Sequence, residues 1–228
     1  VKYPSVIGEI ETLDLVLAGR SIARYGDGEF NLVRGGNCVS QKNTPEIREE
    51  LSGILHLPDD RCLVGIPRLD PRSPKDVNWR KLSAVYAPLL MPKKKYYSAF
   101  LSRPDSAPWI ATDEYFDKIE SLWRNKEITM VYGSERSLSR EFPAMKSALS
   151  IEHVGTTYRD AYKEIDRIEQ DVVRYGRNIV LLMCGPTATC LAVRLSKRGF
   201  HAIDLGHIGM FWRPQHNPKL AKILRIIP

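Results

Sequence analysis

The sequence predicts an α/β protein, a sandwich built around a mainly parallel sheet. Two observations carry this. Short apolar runs near residues 21–25, 61–66, 96–101, 128–132, 179–184 and 202–205 alternate with stretches whose apolar residues recur at helical spacing. The joints between them are short and no repeat or low-complexity segment interrupts them, which favours one domain over residues 1–228.

Taken in order, residues 5–17 read as a helix with Val6, Ile10, Leu13 and Leu17 on one side and Gly19 as the stop. Residues 21–25 form a strand, and Asp27 and Glu29 sit where it ends. Thr44, Pro45 and Glu46 mark a helix start: a capping hydroxyl, a first-turn proline and an acid at the positive end of the dipole. Ile47, Leu51, Ile54 and Leu55 give that helix its buried side. Residues 61–66 are a strand ended by Pro67, and Ser73 with Pro74 opens a helix that turns Val77, Val85 and Leu89 inward. A strand over 96–101 precedes a helix begun by Thr112, Asp113 and Glu114 and carrying Phe116, Ile119 and Trp123. Residues 128–132 are a strand followed by the loop from Gly133 to Arg136, then a short helix over 140–149 and a short strand over 151–154. The helix over 159–174 turns Ile165, Ile168 and Val172 inward. Residues 179–184 are the most apolar strand and read as central, covered on both faces. A helix over 187–197, a strand over 202–205 and a short helix capped at Asn217 and Pro218 close the chain.

Composition narrows the function classes. The 43% apolar content supplies a substantial core, and the four cysteines form no CxxC pair, which argues against a zinc or dithiol site and suits a reducing compartment. No apolar run is long enough to span a bilayer and no signal peptide is evident, which points to the cytoplasm. Val1 is not a translation start without processing, which leaves room for a flanking segment. The net charge of +7 favours anionic partners, but the only dense basic run, Lys93 to Lys95, is short and lacks the interleaved aromatics of a nucleic-acid stripe.

Open α/β sheets bind ligands beyond the C-terminal ends of their strands. Four polar loops fall there: Gly26 to Glu29, Gly133 to Arg136, Gly185 to Thr189 and Gly206 to Gly209. Asp27 and Glu29, one residue apart, can lean toward one hard divalent cation; a solvated Gly-Asp-Gly turn is the plain alternative. Gly185 permits close backbone approach, Pro186 suits a first helical turn, and Thr187 and Thr189 could receive a phosphate or ribose. Asp204 could accept from a ribose or steady His207, which itself could complete a metal shell or touch a phosphate. Arg24, Arg103, Arg136 and Arg140 are candidates to grip a diphosphate, Arg136 foremost, because a guanidinium matches its oxygens bidentately. Trp109 and Trp212 are loop aromatics that could stack on a base or sugar, or simply pack.

Four of these stretches together resemble the GT-D glycosyltransferases, a family formerly described as a domain of unknown function and found in bacterial adhesin glycosylation and surface-polysaccharide pathways. They are ARYGDGEF from Ala23, the Tyr132–Gly133 strand end with its loop, LLMCGPTATCLA from Leu181, and AIDLGHIG from Ala202. The resemblance covers essentially the whole chain. It implies a Rossmann-like three-layer fold and a metal-dependent transfer from a nucleotide-diphosphate sugar, a UDP-sugar foremost. It implies that Asp27 and Glu29 hold Mn2+ or Mg2+ with His207 beside them. It further implies a donor side lined by the Gly185–Thr189 loop and the turn from Asp204 to His207; taken with the residue readings above, the donor side also includes Arg24, Tyr25, Gly26, Gly133 and Arg136, and the catalytic set is Asp27, Glu29, Asp204 and His207. The acceptor it implies is a glycan, glycoprotein or lipid-linked sugar, reached in the cytoplasm or at the inner membrane face. Asp160 and Asp204 are rivals to the paired acids as base. A non-catalytic nucleotide- or phosphate-binding module is the alternative reading, and a nucleic-acid binder a third that rests on charge alone.

Overall fold

The computed structural model describes residues 2–58, 62–133, 143–210, 212 and 221–222. Among the described residues seven strands are interleaved with seven α-helices: α1 Glu9–Leu17, β1 Ser21–Arg24, α2 Asp27–Val33, α3 Pro45–Leu55, β2 Cys62–Ile66, α4 Asp76–Tyr86, β3 Tyr97–Ser98, α5 Asp113–Glu120, β4 Glu127–Gly133, β5 Ser150–Thr156, α6 Ile165–Tyr175, β6 Ile179–Met183, α7 Pro186–Lys197 and β7 His201–Asp204. The strands form one sheet in the order β3-β2-β1-β7-β6-β4-β5, and each neighbouring pair is parallel. The fold is therefore α/β and Rossmann-like, as expected.

Two-residue alternation along the strands divides the core into two layers. Ala23, Val64, Val131, Val180, Leu182 and Ala202 face α2, α3, α6 and α7. Ile22, Leu63, Met130, Leu181 and Ile203 face α1 and α5. The strands are buried on both faces, which is why they read as continuous apolar runs. The middle strand is β7; β6, expected there, lies beside it.

Sequence chemistry sets several boundaries as expected. Thr44 and Thr112 cap α3 and α5, accepting from the Ile47 and Tyr115 N–H groups at 3.5 and 3.2 Å, each such cap stabilising by about 1 kcal/mol. Ile47, Leu51, Ile54 and Leu55 are buried on α3, and Ile165, Ile168 and Val172 on α6. The four cysteines are unpaired.

Other expectations need correction. The α1 helix starts at Glu9 and buries Glu9, Thr12, Leu13 and Val16, while Ile10 is 40% exposed. The Glu9 carboxylate takes the inward position because Arg68 and Ser98 satisfy it at 2.8 and 2.9 Å. The α4 helix turns Tyr86 inward and leaves Val77 and Val85 exposed, because Tyr86 stacks on Phe30 at 4.3 Å and an aromatic pair outweighs two valines. The β3 strand ends at Ser98, where the Ser98 hydroxyl takes the Phe100 N–H and the chain turns. Residues 159–164 are not part of a continuous helix: Asp160 adopts φ 57° and a 3₁₀ turn over Ala161–Glu164 precedes α6. Near 140–149 a 3₁₀ turn spans Pro143–Ser147; residues 134–142 and the helix expected at Asn217 lie outside the described residues.

Candidate active site

A cleft of about 600 Å³ opens at the C-terminal ends of β1, β6 and β7. Three of the four polar loops meet there: Gly26 to Glu29 after β1, Gly185 and Pro186 after β6, and Gly206 and His207 after β7. The parallel sheet brings them together because β1 and β7 are neighbours although far apart in sequence. Of the fourth loop, Gly133 packs against Tyr158 and is not part of the cleft wall; Arg136 and Arg140 lie outside the described residues.

The floor is a buried ion pair. Arg24 Nη2 donates to Asp204 Oδ1 at 3.2 Å, while Nη1 donates to the Ala99 carbonyl at 2.8 Å and the Ser102 hydroxyl at 2.7 Å. Arg24 Nε is buried without a partner. Asp204 Oδ1 also accepts from the Gly206 N–H at 3.0 Å. Burial pushes the Asp204 carboxyl up, and Arg24 opposes that. Gly206 has φ +52°, and a Cβ there would collide with Arg24 Nη2. Arg24 and Asp204 border the cleft yet spend most of their hydrogen-bonding capacity on each other and on the backbone.

The paired acids do not sit on a strand end. Gly26 is the extended N-cap of α2, which places Asp27 and Glu29 in the first helical turn, where the dipole favours negative charge. Glu29 Oε2 turns back to accept the Gly26 N–H at 2.7 Å. Burial pushes the Glu29 carboxyl up to about 7 against that hydrogen bond, with smaller upward contributions from Asp204 and Asp27. Asp27 is exposed and faces the cleft. Among the described residues no three His, Cys, Asp or Glu side chains gather to form a protein-only cation cage. The donor set does suit a hard cation that takes one or two carboxylates and completes its shell from phosphate oxygens and water. The crowding of Glu29 by two further acids is the feature a cation would relieve.

At α7, Gly185 adopts φ +63° and ψ −146°, and a Cβ on it would stand 3.0 Å from Ser40 Oγ, so glycine lets the Ser40 loop close on this corner. The two threonines point elsewhere. Thr189 Oγ1 donates to the Arg24 carbonyl at 2.8 Å, and Thr187 is fully buried with its hydroxyl unpartnered. What α7 offers the cleft is backbone at its first turn. Tyr25 borders the cleft at the strand exit, but its side chain is buried and its hydroxyl donates to the Leu51 carbonyl at 2.6 Å.

Sequence reasoning missed part of the wall. Trp79 on α4 lines the cleft, with its ring 5.7 Å from that of Phe100. Cys38, Val39 and Ser40 also line the cleft, on a turn closed by reciprocal backbone bonds between Cys38 and Gln41. Asp160 pins that turn, donating its N–H to the Ser40 carbonyl at 2.8 Å and accepting the Lys42 N–H at 2.7 Å. Asp160 is outside the cleft wall, so its place is structural. Of the expected aromatics, Trp109 lies under the Arg72 guanidinium and donates to Glu9, and Trp212 packs against Phe116 and Trp123. Of the further arginines, Arg103 reaches the cleft and is also paired with Asp105.

A family model for the glycosyltransferase GT-D fold matches residues 22–213, a span that holds every loop of this cleft. The chain belongs to the GT-D family. It is 29% identical over 218 residues to a probable glycosyl transferase Gly of Streptococcus gordonii and 28% identical over 216 residues to the glycosyltransferase GlyD of Streptococcus pneumoniae serotype 4. These alignments take 90% and 89% of this chain but only 32% and 26% of those proteins, so the chain spans about a third or less of the curated relatives it matches. Two solved structures share the architecture. One, described as a highly conserved domain of unknown function 1792 with a distinct glycosyltransferase fold, superposes with TM-score 0.81 at 28% identity, covering 91% of this chain and 80% of that one. The other, described as a new glycosyltransferase from Streptococcus sanguinis, gives 0.77 at 30% identity over 91% and 82%. For this GT-D chain, no helix among the described residues is long and apolar enough to cross a membrane.

Proposed function

We propose that this GT-D domain transfers a sugar from a nucleotide-diphosphate donor, a UDP-sugar foremost, to a hydroxyl of a glycan, glycoprotein or lipid-linked acceptor. The observation that carries the reading is the meeting of Asp27, Glu29, Gly185 and His207 on one cleft at the exit of neighbouring parallel strands. The diphosphate sits between the first turn of α7 and the Asp27–Glu29 segment, with His207 at its side. Asp27 and Glu29 would hold Mn2+ or Mg2+ there, and when bound the cation neutralises charge gathering on the leaving diphosphate. As the anomeric C–O bond breaks, its electron pair goes to the diphosphate while the acceptor oxygen bonds to the anomeric carbon and its proton passes to a carboxylate of the cleft. Asp27, Glu29 and Asp204 border the cleft, Asp204 with its Oδ1 held by Arg24 and Gly206, and Asp160 lies off its wall. The excess of basic residues, net +7, supports anionic substrates and peripheral attachment to an acidic inner membrane face.

Incubation with a panel of UDP-, GDP- and dTDP-sugars plus Mn2+, followed by assay of released nucleoside diphosphate, tests this. Release from one donor class is the expected result. Tight nucleotide binding by calorimetry with no release in the presence of varied acceptors would instead make the domain a binding module.

A further inference from the structure

A second cavity, of about 450 Å³, adjoins the cleft and shares Asp27, Trp79 and Arg103 with it. Its remaining wall is Lys75, Asn78, Lys81, Leu82 and Ser106. It touches neither Gly185 nor His207, the residues beside which the diphosphate is placed. Resting on the transferase reading, we infer that this cavity is the acceptor site and that it takes a sugar bearing an anionic group, a phosphate or a carboxylate.

Three features argue for that chemistry. The first is charge: Lys75, Lys81 and Arg103 face one cavity, against which stand Asp27 on the shared wall and Asp105 beneath. Asp105 is 1% exposed and takes two hydrogen bonds from Arg103, at 2.7 and 2.8 Å, and an ion pair from Lys75. It thereby fixes both cations against the wall. Lys81 is exposed, with no hydrogen bond or ion pair among the described residues, and supplies the positive charge that Asp105 does not compensate. The second is Trp79, a flat apolar surface held beside Phe100 at the joint of the two cavities, suited to the apolar face of a sugar ring. Asn78 and Ser106 add hydroxyl-pairing groups around it. The third is place and size: the volume is that of a small-ligand pocket, and its opening onto Asp27 sets an acceptor hydroxyl beside that carboxylate.

Ligand-observed NMR with glucose 6-phosphate, glucose and inorganic phosphate tests the site without turnover. Glucose 6-phosphate should bind about tenfold tighter than glucose, tighter than inorganic phosphate, and still bind when UDP and Mn2+ saturate the cleft. Lys81→Glu, on an exposed position, should keep the circular dichroism spectrum and the UDP affinity but weaken glucose 6-phosphate by about tenfold, an effect that shrinks in high salt. Trp79→Ala should weaken both sugars and leave phosphate unchanged. Equal binding of glucose and glucose 6-phosphate, displacement of the latter by UDP, equal binding of phosphate alone, or indifference to Lys81→Glu would each overturn the proposal. Failure of UDP to bind would count against the transferase reading, and the Lys81 comparison would still decide the anion site.

Discussion

Arg24 Nη2 donates to Asp204 Oδ1 at 3.2 Å, joining the exit of β1 to the exit of β7 beneath the cleft. Both side chains are under a tenth exposed, so each charge depends on the other for solvation. Replacing one alone, as Asp204→Ala or Arg24→Met, should cost about 3–5 kcal/mol because a buried charge is stranded. The double variant Arg24→Met with Asp204→Ala should cost clearly less than the sum. Urea unfolding of the four proteins as a double-mutant cycle measures this; single variants within about 1 kcal/mol of the parent would show that the pair is not a structural tie.

Gly206→Ala should destabilise by about 1–3 kcal/mol, from a side chain at φ +52° and from the displaced Arg24 guanidinium. Thermal melts read the loss. An unchanged Tm would mean that the Arg24 guanidinium moves aside freely.

Much of this architecture is legible in the chain because burial on both faces leaves a plain mark. Residues 179–183 and 62–66 are uninterrupted apolar runs, and Thr44-Pro45-Glu46 starts a helix by local chemistry alone. Legibility fails where a long-range partner decides. Glu9 is inward only because Arg68 and Ser98 meet it, and Val77 and Val85 are outward only because Tyr86 finds Phe30. The same holds at the site. Gly26, Asp27, Glu29, Gly185 and His207 are found by their place after strands, but Trp79 reaches the cleft from a helix whose inward side the valines misreport. Thr189 resembles a ligand in sequence, yet its hydroxyl is consumed by the Arg24 carbonyl, a contact 165 residues away along the chain.

The raised Glu29 carboxyl makes stability depend on pH in the metal-free protein. Its folded value near 7 lies above the ordinary 4.5, so the folded state holds this proton more tightly than the unfolded chain. The contribution is fully present below about 4.5 and is lost as pH rises through about 7. It amounts to at most about 3 kcal/mol, reduced by the water that reaches the cleft. Glu29→Gln should flatten the difference in unfolding free energy between pH 5 and pH 8; an identical profile in that variant would place the titration elsewhere.

Asp27→Ala and Glu29→Ala should each lower transfer by about 10²–10³-fold or more, the scale expected when a charged group at a reacting centre is removed. Circular dichroism and Tm should show the fold intact for Asp27→Ala, whose side chain is exposed. Full activity in either variant would remove these carboxylates from the chemistry.

On the proposed function, the cleft binds a nucleoside diphosphate through the Asp27–Glu29 pair and the first turn of α7. A crystal soaked with UDP and Mn2+, with data collected at the manganese absorption edge, tests it most directly. An anomalous peak is expected within bonding distance of the Asp27 or Glu29 carboxylate, with the diphosphate oxygens on its other side facing Gly185 and Pro186. UDP bound elsewhere, or UDP in the cleft with no manganese at either carboxylate, would contradict it.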